Sequence, residues 1–201
     1  MLRMSFDLQP ILKGKLLELR PLRPEDFNDL YAVASDPLIW EQHPIKDRYK
    51  EEVFNAFFRE ALESGGALIA IDSKDGQVIG SSRFHGYDKE KSEIEIGWTF
   101  LARSHWGGIY NREMKQLMLR HAFEHMAAER VEFKTDRLNV QARHGLRNIG
   151  AREEGTLRSF NPMPDGRRRD AVYYSVLRAE WPHVREQLLA RPKVVPVEAG
   201  T

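Results

Sequence analysis

Two adjacent glycines, Gly107 and Gly108, separate a strand-like run from a long amphipathic helix, and such a joint is suited to binding an anion. The backbone N–H groups of a first helical turn have no partner within the helix, and the helix dipole adds partial positive charge there. Glycines let the backbone come close to a ligand, and Arg103 adds a formal charge. The joint therefore predicts a phosphate site. The alternative interpretation is an ordinary turn in which the glycines satisfy only the geometry.

Two carboxylates, Glu93 and Glu95, precede this joint on the same strand-like run, two residues apart and hence on one face of it. A carboxylate in that position can accept a proton from a reacting group. The alternative is a solvated strand face opposite the apolar side of the strand. His85 and His105 titrate in a useful range, although a surface or capping role is the commoner one for a histidine.

Composition limits the classes of protein to which the chain can belong. Its 201 residues, 41% of them hydrophobic, suit one globular domain or two very small ones. With 31 Lys and Arg against 30 Asp and Glu, the chain lacks the overall basic field that usually accompanies nucleic-acid binding. The absence of Cys excludes a disulfide framework, a thiolate metal site and a catalytic thiol, and no other metal-ligand spacing is seen. Without a signal peptide or an apolar run of about 20 residues, we expect a cytoplasmic protein.

The hydrophobic period switches between two and about 3.6 along the chain, which is typical of a mixed α/β domain. Strands are predicted at 16–22, 67–71, 78–84, 92–101, 131–135, 153–160 and 171–177, and helices at 24–34, 53–62, 109–126, 140–148 and 185–189. Leu2, Met4, Phe6 and Leu8 alternate with polar residues and indicate a further short strand. Because no repeat or linker divides the chain, we expect one domain over 1–190 and a flexible tail over 191–201.

Several short motifs accompany the glycine joint. They are Leu19-Arg20-Pro21-Leu22, Glu95-Ile96-Gly97-Trp98, Arg103-x-x-Trp106-Gly107-Gly108-x-x-Asn111, Asn139 with Gly150-Ala151, Asp165-Gly166-x-x-x-Asp170 and Glu180-Trp181. In this order and spacing, over residues 15–181, the chain resembles the GNAT N-acetyltransferases, in the branch of the ribosomal-protein N-terminal acetyltransferases. The resemblance implies a central, mixed, mostly antiparallel twisted sheet that splays at the cofactor site and is flanked by helices.

The resemblance also implies that acetyl-CoA is the acetyl donor and that a loop and helix N-terminus bind its pyrophosphate through backbone N–H groups. The matching residues are Arg103, Ser104, His105, Trp106, Gly107, Gly108, Ile109, Tyr110 and Asn111. The strand residues Trp98, Thr99, Phe100 and Leu101 would leave main-chain groups free to pair with the pantetheine arm and to polarise the thioester carbonyl. Asn139 would contact the arm through its amide or cap the short helix, and the two roles are compatible.

The implied reaction is direct attack of a primary amine on the thioester, since the chain has no Cys and no Ser–His pairing that would form an acyl-enzyme. A cationic amine must first lose a proton. We prefer Glu95 over Glu93 as the base, because the branch commonly has an acidic residue two positions before the Gly-aromatic pair. Leu146 stands where many members have a tyrosine acid, and Ala142 where the branch often has a serine, so no general acid is assigned.

The acceptor stays open between a protein N-terminus and a small amine such as an amino acid, a polyamine or an antibiotic. Trp40, with Glu41 and His43, is a candidate acceptor-site segment, because loops at a cleft tend to carry specificity. The run Arg167-Arg168-Arg169 either meets an acidic substrate or forms a solvated turn. No membrane or direct nucleic-acid partner is expected, and a homodimer is left open.

The aromatic side chains are expected to divide between the core and the cleft. Phe54, Phe57 and Phe58 are expected in the core rather than in a ligand cage. Of Tyr173 and Tyr174, which face opposite sides of one strand, one is expected in the core and the other in the cleft. The rival function is a non-catalytic acyl-CoA-binding module, favoured by the missing tyrosine acid and the unsettled choice of base.

Overall fold

The sheet is built from strands whose side chains alternate between two apolar faces. The computed structural model describes residues 6–190, which contain eight strands. They are β1 (Leu12–Lys13), β2 (Leu17–Pro21), β3 (Ala67–Asp72), β4 (Val78–Asp88), β5 (Glu93–Leu101), β6 (Arg130–Asp136), β7 (Arg152–Pro162) and β8 (Arg168–Leu177). Their order is β1-β2-β3-β4-β5-β6-β8-β7, and every neighbouring pair is antiparallel except β5 and β6. The predicted mixed, mostly antiparallel sheet is confirmed.

Five α-helices cover the sheet within the described residues: α1 (Phe27–Ala34), α2 (Glu51–Glu63), α3 (Ile109–Arg120), α4 (Val140–Asn148) and α5 (Trp181–Leu189). A 3-10 turn at Pro24–Asp26 precedes α1, so the predicted helix start at Pro24 is a tighter turn. A π-helical turn, His121–His125, extends α3. No helix in this part of the chain is both long and apolar enough to cross a membrane.

The alternating N-terminal segment does not form the predicted strand in the part that the structure describes. Leu2 and Met4 lie outside the described residues, and Phe6 and Leu8 belong to no strand. Instead β1, a strand that the alternation did not indicate, pairs with β2. The predicted tail over 191–201 also lies outside the described residues, and the single domain over 1–190 stays a prediction.

Two apolar clusters cover the opposite faces of the sheet. Leu68 on β3 lies in the cluster that packs α3 and α5 against the sheet, and its neighbour Ile69 lies in the cluster that contains α1 and α2. Phe54, Phe57 and Phe58 are buried in the second cluster, as predicted. Helices therefore cover both faces of the sheet around β3, whereas β7 is exposed along most of its length, and a further opening lies between two strands.

That opening lies where β5 separates from β6. The two strands pair only over Glu93–Glu95 and Arg130–Glu132, so the second half of β5 pairs with β4 alone among the described residues. Opposite Ser82 of β4, β5 carries a bulge of two residues, Trp98 and Thr99, and Trp98 has a φ of 51°. A bulge bends a strand and redirects its main chain. The predicted splay is confirmed, and the bulge gives its physical origin.

A glycine on β4 lets the two strands approach closely just beyond the bulge. A Cβ on Gly80 would lie 2.1 Å from the carbonyl oxygen of Phe100, a distance that no side chain tolerates. This close approach of the two backbones therefore requires glycine at position 80. This contact keeps β5 paired with β4, while the opposite edge of β5 is free.

Candidate active site

The gap between β5 and β6 opens into one cleft of about 1040 Å³. Its walls come from β5, β6, the glycine joint, the start of α3, α4, the segment 38–48 and the hairpin between β7 and β8. The cleft is continuous from the helix N-terminus to the segment 38–48. An extended ligand can therefore touch both the glycine joint and the splayed strand.

The glycine joint has the backbone conformation that the sequence predicts. Gly107 and Gly108 have φ angles of 98° and 104°, and both line the cleft. A Cβ on either would meet nothing within 4 Å, so backbone conformation rather than space calls for glycine. Gly108 is the N-cap of α3 and carries no side-chain cap, which leaves the first-turn N–H groups available to an anion.

Arg103, His105 and Tyr110, polar side chains around the joint, contact acidic residues of other segments. Arg103 pairs with Asp36, so the formal charge expected at the joint is already neutralised there. Asp72 Oδ2 accepts from the Tyr110 hydroxyl and lies 3.0 Å from His105 Nε2. The backbone N–H of Lys74, His105 and Tyr110 together hold the pKa of Asp72 below its usual value. His105 is thus a clamp on the loop, and its proposed role as a base has no support in these contacts.

The remaining predicted loop residues divide between the cleft and the surface. Trp106 Nε1 donates to the carbonyl oxygen of Leu101 at 2.9 Å, which ties the loop to the end of β5. Ser104 Oγ lies 2.9 Å from a ring nitrogen of His105 and, like Ile109, does not line the cleft. Asn111 does line it. Only part of the predicted set therefore offers side chains to a ligand.

Asn139 caps α4 and also lines the cleft. Its Oδ1 accepts from the backbone N–H of Ala142 at 2.9 Å, which confirms the N-cap of α4. The residue is buried and lines the cleft opposite β5. Its side-chain nitrogen has no hydrogen-bond partner among the described residues, so it can donate to a ligand.

The two predicted bases lie in different surroundings. Glu95 lines the cleft, is 8% exposed and accepts from Lys134 Nζ at 2.9 Å. Glu93 does not line the cleft and lies 3.5 Å from Arg130 Nε. Burial and the neighbouring Glu132 carboxyl raise the pKa of Glu93. The alternative of a solvated face is wrong for Glu95, and only Glu95 can reach a ligand in the cleft.

Sequence reasoning missed a buried cation beneath the bulge. Lys115 of α3 is 4% exposed, lines the cleft and donates to Thr99 Oγ1 at 2.5 Å. No described carboxylate lies within 4 Å of its ammonium group, and burial lowers its pKa to about 7. The signal was helical spacing: Leu119 and Ala122, four and seven residues on, share its buried face.

The tryptophan expected to contact an acceptor is instead part of the core. Trp40 is fully buried, and its Nε1 donates to the Ala34 carbonyl oxygen at 2.7 Å. The prediction of an acceptor contact at Trp40 is wrong, because the indole fills the cluster around α1 and α2. Its neighbours Glu41 and His43 do line the cleft. Arg48, which the sequence did not single out, packs its guanidinium 4.6 Å from the ring centre of Phe57 and lines the cleft too.

The three consecutive arginines have three different environments. Arg167 pairs with Asp136, and Arg168 is exposed and bonds to Ser159. Arg169 turns into the cleft, with a buried Nε that has no partner among the described residues. The solvated-turn interpretation therefore holds for Arg168 and is wrong for Arg169.

Of Tyr173, Tyr174 and Leu146, only Leu146 lines the cleft. Tyr174 is in the core, as predicted for one of the pair, and its hydroxyl donates to Glu153 Oε2 at 2.7 Å. Tyr173 stacks below Lys134 but does not line the cleft, so the second half of that prediction is wrong. Leu146 lines the cleft where a tyrosine acid was sought. Within residues 6–190, His, Asp and Glu side chains form no group that could hold a metal ion.

Comparison with known proteins identifies the family. Residues 17–152 match a family model described as an acetyltransferase (GNAT) domain. YdaF of Bacillus subtilis (strain 168), whose name provisionally assigns it as a ribosomal N-acetyltransferase, is 28% identical over 145 residues, covering 72% of this chain and 78% of that protein. The FsC-acetyl coenzyme A-N(2)-transacetylase of Aspergillus fumigatus is 27% identical over 209 positions, covering 98% of this chain and 88% of that protein.

The fold has solved counterparts. A GCN5-related N-acetyltransferase from Brucella melitensis superposes with a TM-score of 0.81 at 24% identity, over 89% of this chain and 83% of that chain. That likeness concerns the fold, and the family match covers most of the residues that build the cleft. The splayed strand, the uncapped helix and the family match agree: this chain belongs to the GNAT acetyltransferases, enzymes that use acetyl-CoA as the acetyl donor.

Proposed function

We propose that the protein transfers the acetyl group of acetyl-CoA to a primary amine by direct attack in the cleft between β5 and β6. The observation that carries the proposal is the combination, in one cleft, of a bulged strand with a free edge and the uncapped N-terminus of α3. The first suits a pantetheine arm and a thioester, and the second suits a pyrophosphate.

Acetyl-CoA is held mainly by the main chain. Backbone N–H groups of 109–111 bind the pyrophosphate, and the free edge of 98–101 pairs with the pantetheine arm. Asn139 donates its side-chain nitrogen to the arm from the other side. A main-chain N–H of β5 near the bulge donates to the carbonyl oxygen of the thioester, where negative charge develops during attack.

The amine enters between the segment 38–48 and the β7–β8 hairpin. Glu95, whose carboxylate accepts a hydrogen bond from Lys134 Nζ at 2.9 Å, accepts a proton from the amine. The amine nitrogen then attacks the carbonyl carbon, the C–S bond breaks, and CoA leaves as a thiolate. The nitrogen of the new amide loses its second proton, which passes through water to that thiolate. The absence of a tyrosine at Leu146 fits a leaving group that needs no side-chain acid, because a thiolate is stable near neutral pH.

The decisive experiment is thiol release from acetyl-CoA by the purified protein over a panel of amines, with the products identified by mass. The panel contains amino acids, polyamines, amine-bearing antibiotics and peptides with free N-termini. Acetylation of any member is the expected result. Tight acetyl-CoA binding without thiol release on the whole panel would overturn the proposal in favour of the non-catalytic acyl-CoA-binding module.

A further inference from the structure

We propose that Arg48 and Arg169 form a subsite for a carboxylate carried by the acceptor, so that the acceptor is a small amine that also bears a carboxylate. The inference rests on the proposed acetyl transfer and names its substrate class. It starts from two guanidinium groups that face one cleft from opposite walls. Arg48 comes from the turn Lys46–Tyr49 before α2, and Arg169 from the start of β8.

The two arginines lie close to a common neighbour. Both lower the pKa of His43, which burial and their charges bring down to about 4. His43 itself lines the cleft and is neutral near pH 7. The charge on this part of the wall is therefore that of the two arginines, and no histidine charge adds to it.

The cleft's own carboxylates are already paired with other cations. Glu95 and Glu132 both accept from Lys134 Nζ, at 2.9 and 2.7 Å. Asp136 pairs with Arg167. Glu41, the fourth carboxylate of the lining, is exposed. None of these four carboxylates forms an ion pair with either proposed arginine, although Asp136 and Glu95 act on Arg169 at longer range.

Neither arginine has a carboxylate within ion-pair distance among the described residues. The Glu60 carboxylate acts on Arg48 at longer range but bonds to Arg83, at 3.1 Å. Arg169 Nε is buried without a hydrogen-bond partner, and so is Oδ1 of Asn161, its partner in the β7–β8 register. Buried polar atoms without partners are rare and costly, so their presence at a cleft points to a ligand that satisfies them.

A carboxylate fits the two arginines because a guanidinium donates two parallel hydrogen bonds to it, whereas Asn161 Oδ1 is an acceptor and takes a hydrogen bond only from a donor such as the amine of the same molecule. Burial lowers the pKa of Arg169, and the charges of Asp136 and then of Glu95 act against that change, which places the subsite and the proposed base in the same region. A molecule held by its carboxylate at Arg169 can thus present its amine to Glu95. A polyamine, in contrast, would bring further positive charge against two unpaired cations.

The test compares matched acceptors that differ only in the carboxylate: amino acids with increasing separation between amine and carboxylate, and the amide of each. The parent protein is expected to acetylate at least one acid with a kcat/KM about 10-fold or more above that of its amide. Arg169→Gln and Arg48→Gln are each expected to lower kcat/KM for that acid about 10- to 100-fold, through KM, with little effect on the amide. Arg168→Gln, next to Arg169 but exposed, is the matched control and should change neither.

A binding measurement keeps the inference independent of turnover. Calorimetry with the CoA-loaded protein should detect the acid and not its amide, and Arg169→Gln should remove that binding.

Equal use of acid and amide, equal losses for both, or a polyamine as the best acceptor would overturn the subsite while leaving acetyl transfer intact. Loss of acetyl-CoA affinity in the two variants would assign the arginines to the cofactor instead. Thiol release from no acceptor, together with calorimetric binding of the acid, would instead overturn the transfer reaction and leave the subsite.

Discussion

Lys115 is an ionisable side chain in a buried position. It carries an ammonium group into a region that contains hydroxyls and apolar side chains but no described carboxylate. Desolvation penalises the charged form, which is why its pKa falls from 10.5 to about 7. A group whose pKa is lower in the folded than in the unfolded state costs stability wherever the unfolded chain binds the extra proton.

The stability of the protein should therefore depend on pH through Lys115. Above pH 10.5 both states are neutral at this residue; between pH 10.5 and about 7 only the unfolded state is protonated, so stability falls as the pH is lowered. The gain in unfolding free energy from Lys115→Met should grow by about 1.4 kcal/mol per pH unit over this window and level off below it. Urea unfolding at several pH values measures it, with the exposed Lys74→Met as control. If the unfolding free energies of the parent protein and Lys115→Met changed with pH in the same way, burial of Lys115 would not lower its pKa.

Glu95 supports a second prediction at this scale. Because Glu95 lines the cleft and Glu93 does not, Glu95→Gln should lower kcat by about 10²- to 10⁴-fold, whereas Glu93→Gln should leave it nearly unchanged. Steady-state thiol release by the parent protein and the two variants, with saturating acetyl-CoA, measures both. An unchanged kcat in Glu95→Gln would assign proton removal to another group or to water.

Residue types and spacing singled out Glu93, Glu95 and the two glycines, whereas Asn139 and the preference for Glu95 came from the resemblance to the family. They did not identify Arg48, which sits in a polar run that looks like any solvated turn. Whether a charge is paired depends on contacts between distant segments, such as that between Asp136 and Arg167, and these are tertiary. The sequence could therefore predict where chemistry occurs more readily than which charges are free for it.

At the scale of elements, contacts with two other parts of the chain fix α3 in place. Near its N-terminus, the Tyr110 hydroxyl donates to Asp72, and His105 lies against the same carboxylate. The carboxylate of Glu113 accepts from the backbone N–H groups of 15–17 and fixes the helix to β2. The positions of the elements followed from periodicity and glycines, but β8 and α5 begin at Arg168 and Trp181, earlier than the predicted 171 and 185, and β1, whose two residues carry no pattern, was missed. The bulge at Trp98 could not be predicted, because it depends on register against β4.

The glycine joint supports a prediction for this element. Gly108→Glu places a side chain at a φ of 104° and adds negative charge at the helix N-terminus, so acetyl-CoA affinity should fall by 100-fold or more, about 3 kcal/mol. Gly65→Glu is the matched control, since Gly65 also has a positive φ, of 64°, with open space around it, and lies at the end of α2. Calorimetric titration measures both variants. Similar losses in both would mean that backbone strain, rather than the joint, controls binding.

On the scale of the whole molecule, the sheet has a weak seam. β5 and β6 share three register pairs, whereas β6 and β8 share seven, so two parts of the sheet meet through a short parallel contact and the apolar cluster around α3. The proposed position of acetyl-CoA spans this seam. A ligand there would connect β5 and α3 on one side with α4 on the other.

Acetyl-CoA should therefore stabilise the fold across the seam. At 100 times Kd, unfolding free energy should rise by about 2.7 kcal/mol, and amide exchange should slow in β5, the first turn of α3 and the start of α4 together. Thermal unfolding and hydrogen exchange measure the two effects, with Gly108→Glu as the control that should show neither. Protection limited to α3 would place the ligand outside the gap.

The uncapped helix and the bulged strand have a consequence for how specificity changes over evolution. Both present backbone groups, which nearly any sequence of the same shape supplies, whereas the segment 38–48 and the β7–β8 hairpin present side chains. On the proposed assignment, point substitutions in these two stretches change the accepted amine and leave the acetyl-CoA site intact. Acceptor specificity can then evolve, or be engineered, independently of donor binding.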